Sequence, residues 1–255
     1  MRPTNPGATT PTTARAGVLA LLVPLALGLV AGCSSPVDRY HTLRAPVAAP
    51  ASLARATDRV LTVGPVTVPE ALDREGWVVR TGDTAVQIYQ HQLWPQGLSA
   101  EIAQTLADHL NRAFAATADA DIQATWADGS PANPAVDPSV VLPRALRVRV
   151  QVLRFDSLLA PAPAIGDALR WTLECTGGED ASEPSLLHFH VLRSALREVT
   201  APAEAGSAGV ADDDTARRFD RLALAHSRAL QAVAQDIANA VAETAADRAQ
   251  ACPER

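Results

Sequence analysis

Hydrophobic positions along this chain fall into three kinds of run. An unbroken apolar stretch lies near the start, from Val18 to Val30. Two later stretches repeat an apolar residue every three or four positions. In the first, Leu98, Ile102, Leu106, Leu110 and Phe114 predict an amphipathic helix over about Ser99 to Ala116. In the second, Phe219, Leu222, His226, Leu230, Val233, Ile237 and Val241 predict a long final helix, flanked by alanines that suit close packing on a sheet. Ser99 with Glu101, and Asp212 to Asp214, place acceptors and negative charge at the two helix starts. The third kind of run has a period of two. Leu146, Val148, Val150 and Val152 alternate with Arg147, Arg149 and Gln151, which predicts a strand with one buried and one wet face. From Arg59 to Pro69 both alternating sets are largely apolar, which predicts a strand buried on both faces and ended by Pro69. Trp77 to Arg80 and Ala85 to Tyr89 flank Gly82-Asp83 as a hairpin. Ile122 to Trp126, Ala168 to Thr176 and Leu186 to Val199 read as further strands, the last two joined by a turn at Gly177 to Asp180. Four prolines make Asp128 to Arg144 a loop, and Ala201 to Ala211 is a polar linker. The order β-β-β-α-β-β-β-β-α predicts an α+β fold: one mostly antiparallel sheet with two helices on one face.

The early apolar run changes the picture of the first 60 residues. Arg15 precedes it, small residues follow it, and it is about 13 residues long, too short to span a bilayer. This is the layout of a secretory signal. Leu29-Val30-Ala31-Gly32-Cys33 resembles the lipobox of bacterial lipoprotein precursors. The resemblance implies cleavage before Cys33, acylation of its thiol, and a mature chain beginning there. A secreted protein with a coincidental cysteine, or a signal anchor, are the plain alternatives. Ser34 and Ser35 follow where inner-membrane lipoproteins carry Asp, so the resemblance further implies the periplasmic face of the outer membrane. The expected organisation is residues 1–32 as signal peptide and 33–58 as lipidated start and Pro/Ala-rich tether. Residues 59–248 form a single domain and 249–255 a tail. Tyr40 to Leu43 adds a short extended segment within the tether.

Composition sets bounds on what the domain does. A net charge of −6 argues against a nucleic-acid partner. Every basic residue is Arg, and aromatics make up 4%, so the core must be aliphatic. Cys175 and Cys252 could pair in an oxidising compartment. Cys252 is near the terminus, which favours a buried strand thiol at Cys175 and an unpaired Cys252.

Several segments in order resemble the ABC-type transport auxiliary lipoprotein family of the PqiC/YmbA-like type. These are Cys33 followed by Tyr40-His41-Thr42-Leu43, the run from Val63 to Arg74, and His91 to Leu98 with the helix after it. Arg147 to Phe155 and Ala225 to Leu230 continue the likeness. Ala71 in place of an aromatic, Pro95-Gln96 beside Trp94, and the proline-rich loop depart from it. The resemblance implies an accessory of an ABC-type permease and an MCE-domain protein, which together move lipids or other hydrophobic molecules between membranes. The chain would dock that conduit while anchored in the outer membrane through its lipid, as a homo-oligomer and without a cofactor. A carrier that itself holds a lipid, and a structural assembly lipoprotein, are the other readings.

Candidate chemistry is otherwise sparse. Glycine-flanked serine elbows, phosphate loops and His-Glu-x-x-His helices are absent from the sequence, so the chain reads as no enzyme. His188 and His190 share a strand face, but the sequence places no third metal ligand beside them. Trp94 is either a partner contact or a plug at the end of the core. Arg147 and Arg149 are either a contact for an acidic partner or a solvated face. His226, within an apolar stripe, reads as a satisfied core histidine.

Overall fold

The computed structural model describes residues 36–44, 59–116, 122–126, 146–177, 188–203 and 211–251. The strands are β1 (Arg39–Tyr40), β2 (Arg59–Thr67), β3 (Gly76–Arg80), β4 (Val86–Leu93), β5 (Ile122–Trp126), β6 (Leu146–Leu158), β7 (Ala164–Gly177) and β8 (His188–Pro202). Helix α1 (Leu98–Ala115) follows β4, and α2 (Ala211–Ala251) closes the chain. The fold is α+β, as the periodicities predict. Its strands form two sheets rather than one. A five-stranded sheet runs β5-β2-β6-β7-β8 and a three-stranded one runs β1-β4-β3. Both are mixed: β2 pairs parallel with β5 and β6, and β1 pairs parallel with β4, while the remaining pairs are antiparallel. Parallel pairs join segments far apart in sequence, so local alternation carries no trace of them.

Both helices lie on one face of the larger sheet, α1 over β2 and β5 and α2 over β7 and β8. The α2 stripe is the reason. Phe219, Leu222, His226, Leu230, Val233, Ile237 and Val241 are all fully buried. They meet the inward residues of β7, Leu169, Trp171 and Leu173, and of β6, Val148, Val150 and Val152. Removing one such leucine costs about 2–5 kcal/mol. The outer positions of β2 are half-buried, so this strand is less enclosed than its composition predicts. Its pairing with β6 shifts register between Val63 and Val66. Gly64, with φ 131°, supplies a backbone conformation closed to side-chain-bearing residues, and Pro65 lacks the donor for a ladder bond. Edge strand β5 is held from the side. Asn111 of α1 accepts from Ala124 N–H at 2.7 Å and donates to Ala124 C=O at 2.9 Å.

Helix α1 begins differently from expectation. Its N-cap is Gly97, with φ 80° and no capping side chain, and Ser99 lies inside the first turn. Cys175 is 1% exposed and disulfide-bonded, which corrects the expectation of a free strand thiol. Its partner lies outside the described residues. So do the proline-rich loop, the turn after Gly177, the signal segment and Cys33.

Candidate functional site

The compact unit starts at Asp38 rather than at Arg59. Residues 38–43 lie within the segment read as tether, yet they are built into the fold as a strap. β1 runs parallel to β4, with Arg39 beside Gln92 and Tyr40 beside Leu93. His91 Nδ1 lies 2.8 Å from Asp38 Oδ1, and His41 N–H donates to Leu93 C=O at 2.9 Å. Beyond the strand, His41 is 6% exposed and its ring nitrogens face Gln92 Oε1 at 2.6 Å and Asp220 Oδ1 at 3.2 Å. Leu43 enters the core at 1% exposed. Glu101 of α1 fixes this end. Its Oε2 accepts from Thr42 Oγ1–H at 2.8 Å and from Leu43 N–H at 3.3 Å. Glu101 is fully buried and its Oε1 is unpaired. The sequence shows Glu101 only as an acidic residue in a first helical turn; its role as a latch depends on a segment 58 residues away.

Between strap and α2 runs an open groove of about 270 Å³, lined by Tyr40, Leu43, Arg44, Asp220, Leu224 and Ser227 among others. Below it, His109 Nε2 lies 3.3 Å from Ser227 Oγ. Burial, reinforced by the Arg112 charge, lowers the His109 pKa to about 4, so its ring is neutral at pH 7. Burial raises the pKa of neighbouring Asp108, against the opposing pull of Arg44 and Arg112.

Next to the strap the core turns polar. Trp77 Nε1–H donates to Ser157 Oγ at 2.8 Å. Ser157 Oγ lies 2.9 Å from His226 Nε2, and His226 Nδ1 lies 2.9 Å from both Asp167 oxygens. Trp is a donor only, so the serine oxygen accepts from it. The Asp167 carboxylate accepts from His226 Nδ1–H, and the contacts join indole, hydroxyl, imidazole and carboxylate in one chain. Phe155 stacks on the His226 ring at 3.8 Å and 12°. Ser, His and Asp are the residue types of an acyl-transfer triad. Here all three are fully buried, so no substrate carbonyl reaches the serine in this arrangement. His226 is thus the satisfied core histidine its place in the stripe predicts. Ser157 and Asp167 carried no sequence signal of this role. A register shift in β6 between Val152 and Arg154 turns Phe155 and Ser157 inward, against the alternation that precedes it.

The other candidate residues are scattered. Trp94 is 3% exposed, with its ring 4.1 Å from that of Trp77, so it plugs the core rather than presenting a partner contact. Arg149 Nη2–H donates to Glu174 Oε2 on β7 at 3.3 Å, so its acidic partner is within the chain. Arg147 is half-buried on the same face. His188 and His190 stand opposite Gly177 and Cys175 in the β7–β8 ladder. Among the described residues no group of three His, Cys, Asp or Glu side chains could hold a metal ion.

The family model for the ABC-type transport auxiliary lipoprotein component matches residues 41–238. The chain belongs to this family. The matched region of this auxiliary lipoprotein opens at His41, inside the strap, and ends within α2. No curated protein matches it. A crystal structure of an uncharacterized protein covers 81% of this chain and 99% of its own, at 15% identity and a TM-score of 0.50. A Xanthomonas campestris protein, assigned to a family of unknown function, covers 84% and 99% at 18% identity with a TM-score of 0.49. The first of these shares the fold.

Proposed function

We propose that this auxiliary lipoprotein is acylated at Cys33, sits at the periplasmic face of the outer membrane, and docks an MCE-linked ABC-type conduit for lipids or other hydrophobic molecules. It contributes attachment, as a homo-oligomer, and no catalysis. Membership of the transport auxiliary family supports this, as does the lipobox-like run before Cys33. The observation that carries the choice of dock over carrier is the closed core. Ligand pockets enclose roughly 300–1,000 Å³. Among the described residues the space beside Trp77, Trp94 and Phe155 amounts to about 10 Å³, too little for an acyl chain. The 270 Å³ groove by the strap lies open on the surface.

Two experiments test the reading. Periplasmic crosslinking followed by pull-down of the full chain should recover an MCE-domain protein, and recovery of bound lipid without one would favour the carrier. Cys33→Ser should leave the thermal midpoint of the domain unchanged while abolishing complementation of a deletion strain. Full complementation by the unanchored form would end the docking-by-tether idea.

A further inference from the structure

The strap restricts how far the domain stands from its anchor. Asp38 is the first residue of the compact unit, and five Cα-to-Cα steps across four intervening residues link it to Cys33. Fully extended, they reach about 18 Å at most. The long Pro/Ala-rich stretch lies after Leu43, between strap and β2, and adds nothing to that reach. The direction in which the chain enters β1 is set by its pairing. Because β1 is parallel to β4, the chain followed backward from Tyr40 to Asp38 travels toward the start of β4. From His91, beside Asp38, back to Val86 is about 17 Å of strand. The β3–β4 hairpin tip therefore lies about 17 Å from Asp38, on the side from which the chain enters β1, a distance comparable with the length of chain between Asp38 and Cys33.

That tip has a composition suited to an interface. Val86 and Ile88 are 59% and 42% exposed and, two apart on one strand, share a face. Val78 stands opposite Ile88 on β3 and extends the apolar strip. The turn is closed by Thr81 N–H donating to Ala85 C=O at 2.9 Å, and residues 81–85 are exposed. Its cation is turned back into the protein: Arg80 donates to Asp83 C=O at 3.1 Å and to Asp156 Oδ1 at 3.2 Å. Asp83 is the single acidic residue of the turn.

We propose that the β3–β4 hairpin tip, through Val86 and Ile88, seats on the lipid layer that holds the acyl chains of Cys33. The proposal rests on the lipid-anchor reading and names a second contact with the same membrane. A short tether and an apolar tip together fix the orientation of the domain: β4 stands on the bilayer, and the opposite ends of the β3 and β4 strands face the periplasm. One acyl anchor leaves a domain free to tumble; two points of contact restrict it.

The test uses the lipidated mature chain in vesicles of phosphatidylethanolamine with a minor fraction of phosphatidylglycerol. Val86→Cys, Ile88→Cys and, on the edge strand of the other sheet, Leu196→Cys each carry an environment-sensitive fluorophore, read against a labelled unsubstituted control. Flotation reports the anchor separately from the tip. The expected result is co-flotation of all forms, with blue-shifted emission and quenching by nitroxide lipids at positions 86 and 88 but not at 196. Co-flotation with water-like emission at 86 and 88 overturns the seat while the anchor stands, and leaves the tip to a protein partner. Equal quenching at 196 overturns the orientation. Failure to float overturns the anchor and the proposal with it.

Discussion

The two ends of the core, taken along the strands of the larger sheet, are built from different materials. At one end, Leu146, Val148, Leu173, Ile237 and Val241 pack as plain aliphatic surface. At the other, Trp77, Trp94, Phe155 and Phe219 surround His41 and the Ser157–His226–Asp167 chain. Aliphatic packing is non-directional, tolerates repacking, and stabilises in proportion to area. A buried polar chain stabilises little in net terms and penalises every alternative in which a member is left unpaired. The strap docks against the second kind of core. The end of the domain that receives the strap is thus the end that accepts only one arrangement.

This contrast can be broken directly. His226→Leu strands the Asp167 carboxylate without its donor, and a loss of about 3–5 kcal/mol is expected from urea unfolding. Adding Asp167→Leu should recover part of that loss. Leu173→Ala at the aliphatic end should cost about 2–5 kcal/mol and combine additively with distant changes. If the double substitution at 226 and 167 is merely additive, the polar chain is not a unit and the contrast fails. The disulfide sharpens the same comparison, since Cys175 belongs to the aliphatic end. Under the proposed acylation of Cys33, Cys252 is the remaining cysteine to pair with Cys175. Cys252→Ser should lower stability by about 2–4 kcal/mol, and non-reducing peptide mass mapping should show the Cys175–Cys252 pair in the parent.

Smaller effects belong to the strap. Glu101→Gln keeps the shape of the latch but weakens acceptance from Thr42 and Leu43, and should cost about 1–2 kcal/mol. Hydrogen exchange at Leu43 should rise while the amides of β7 stay protected. The remaining lever is pH. His109 has a folded pKa near 4, below its ordinary 6.5, so the unfolded chain binds the extra proton between those values. Stability contributed by neutral His109 is present above about pH 6.5 and falls as pH drops toward 4. The loss is of the order of 3 kcal/mol. His109→Gln should flatten that part of the profile; an unchanged slope would assign the pH dependence to other groups.

What was legible in the sequence follows from the range of each interaction. Both helices, β5 and the first part of β6 were readable because their apolar period is local: Ile122 to Trp126 is a strand at its expected bounds. The class and the long final helix followed from the same signal. The split into two sheets was not readable, because it depends on β1 finding β4 some 50 residues on, across a two-residue strand with exposed side chains. The strap was hidden for the same reason, within a proline- and alanine-rich segment. Ser157 and Asp167 are ordinary polar letters in strands; a register shift in β6 decides that Ser157 faces inward, while Asp167 follows the regular alternation of β7 with Leu169, Trp171 and Leu173. Cys33, the residue on which the lipid reading stands, lies outside the described residues.

The parallel pairing of β1 with β4 also has a mechanical meaning. Under the proposed anchoring at Cys33, a membrane that drifts from its partner would pull the domain by its N-terminus. That force loads the β1–β4 hydrogen bonds in shear, side by side, instead of peeling them one after another. Behind them, Leu43 is wedged in the core and Thr42 is gripped by Glu101, so slippage along the strand meets a stop. A protein that works as proposed, held at one membrane and gripping a structure that comes from the other, would be a link under tension. In this fold the link is fastened along its strong axis.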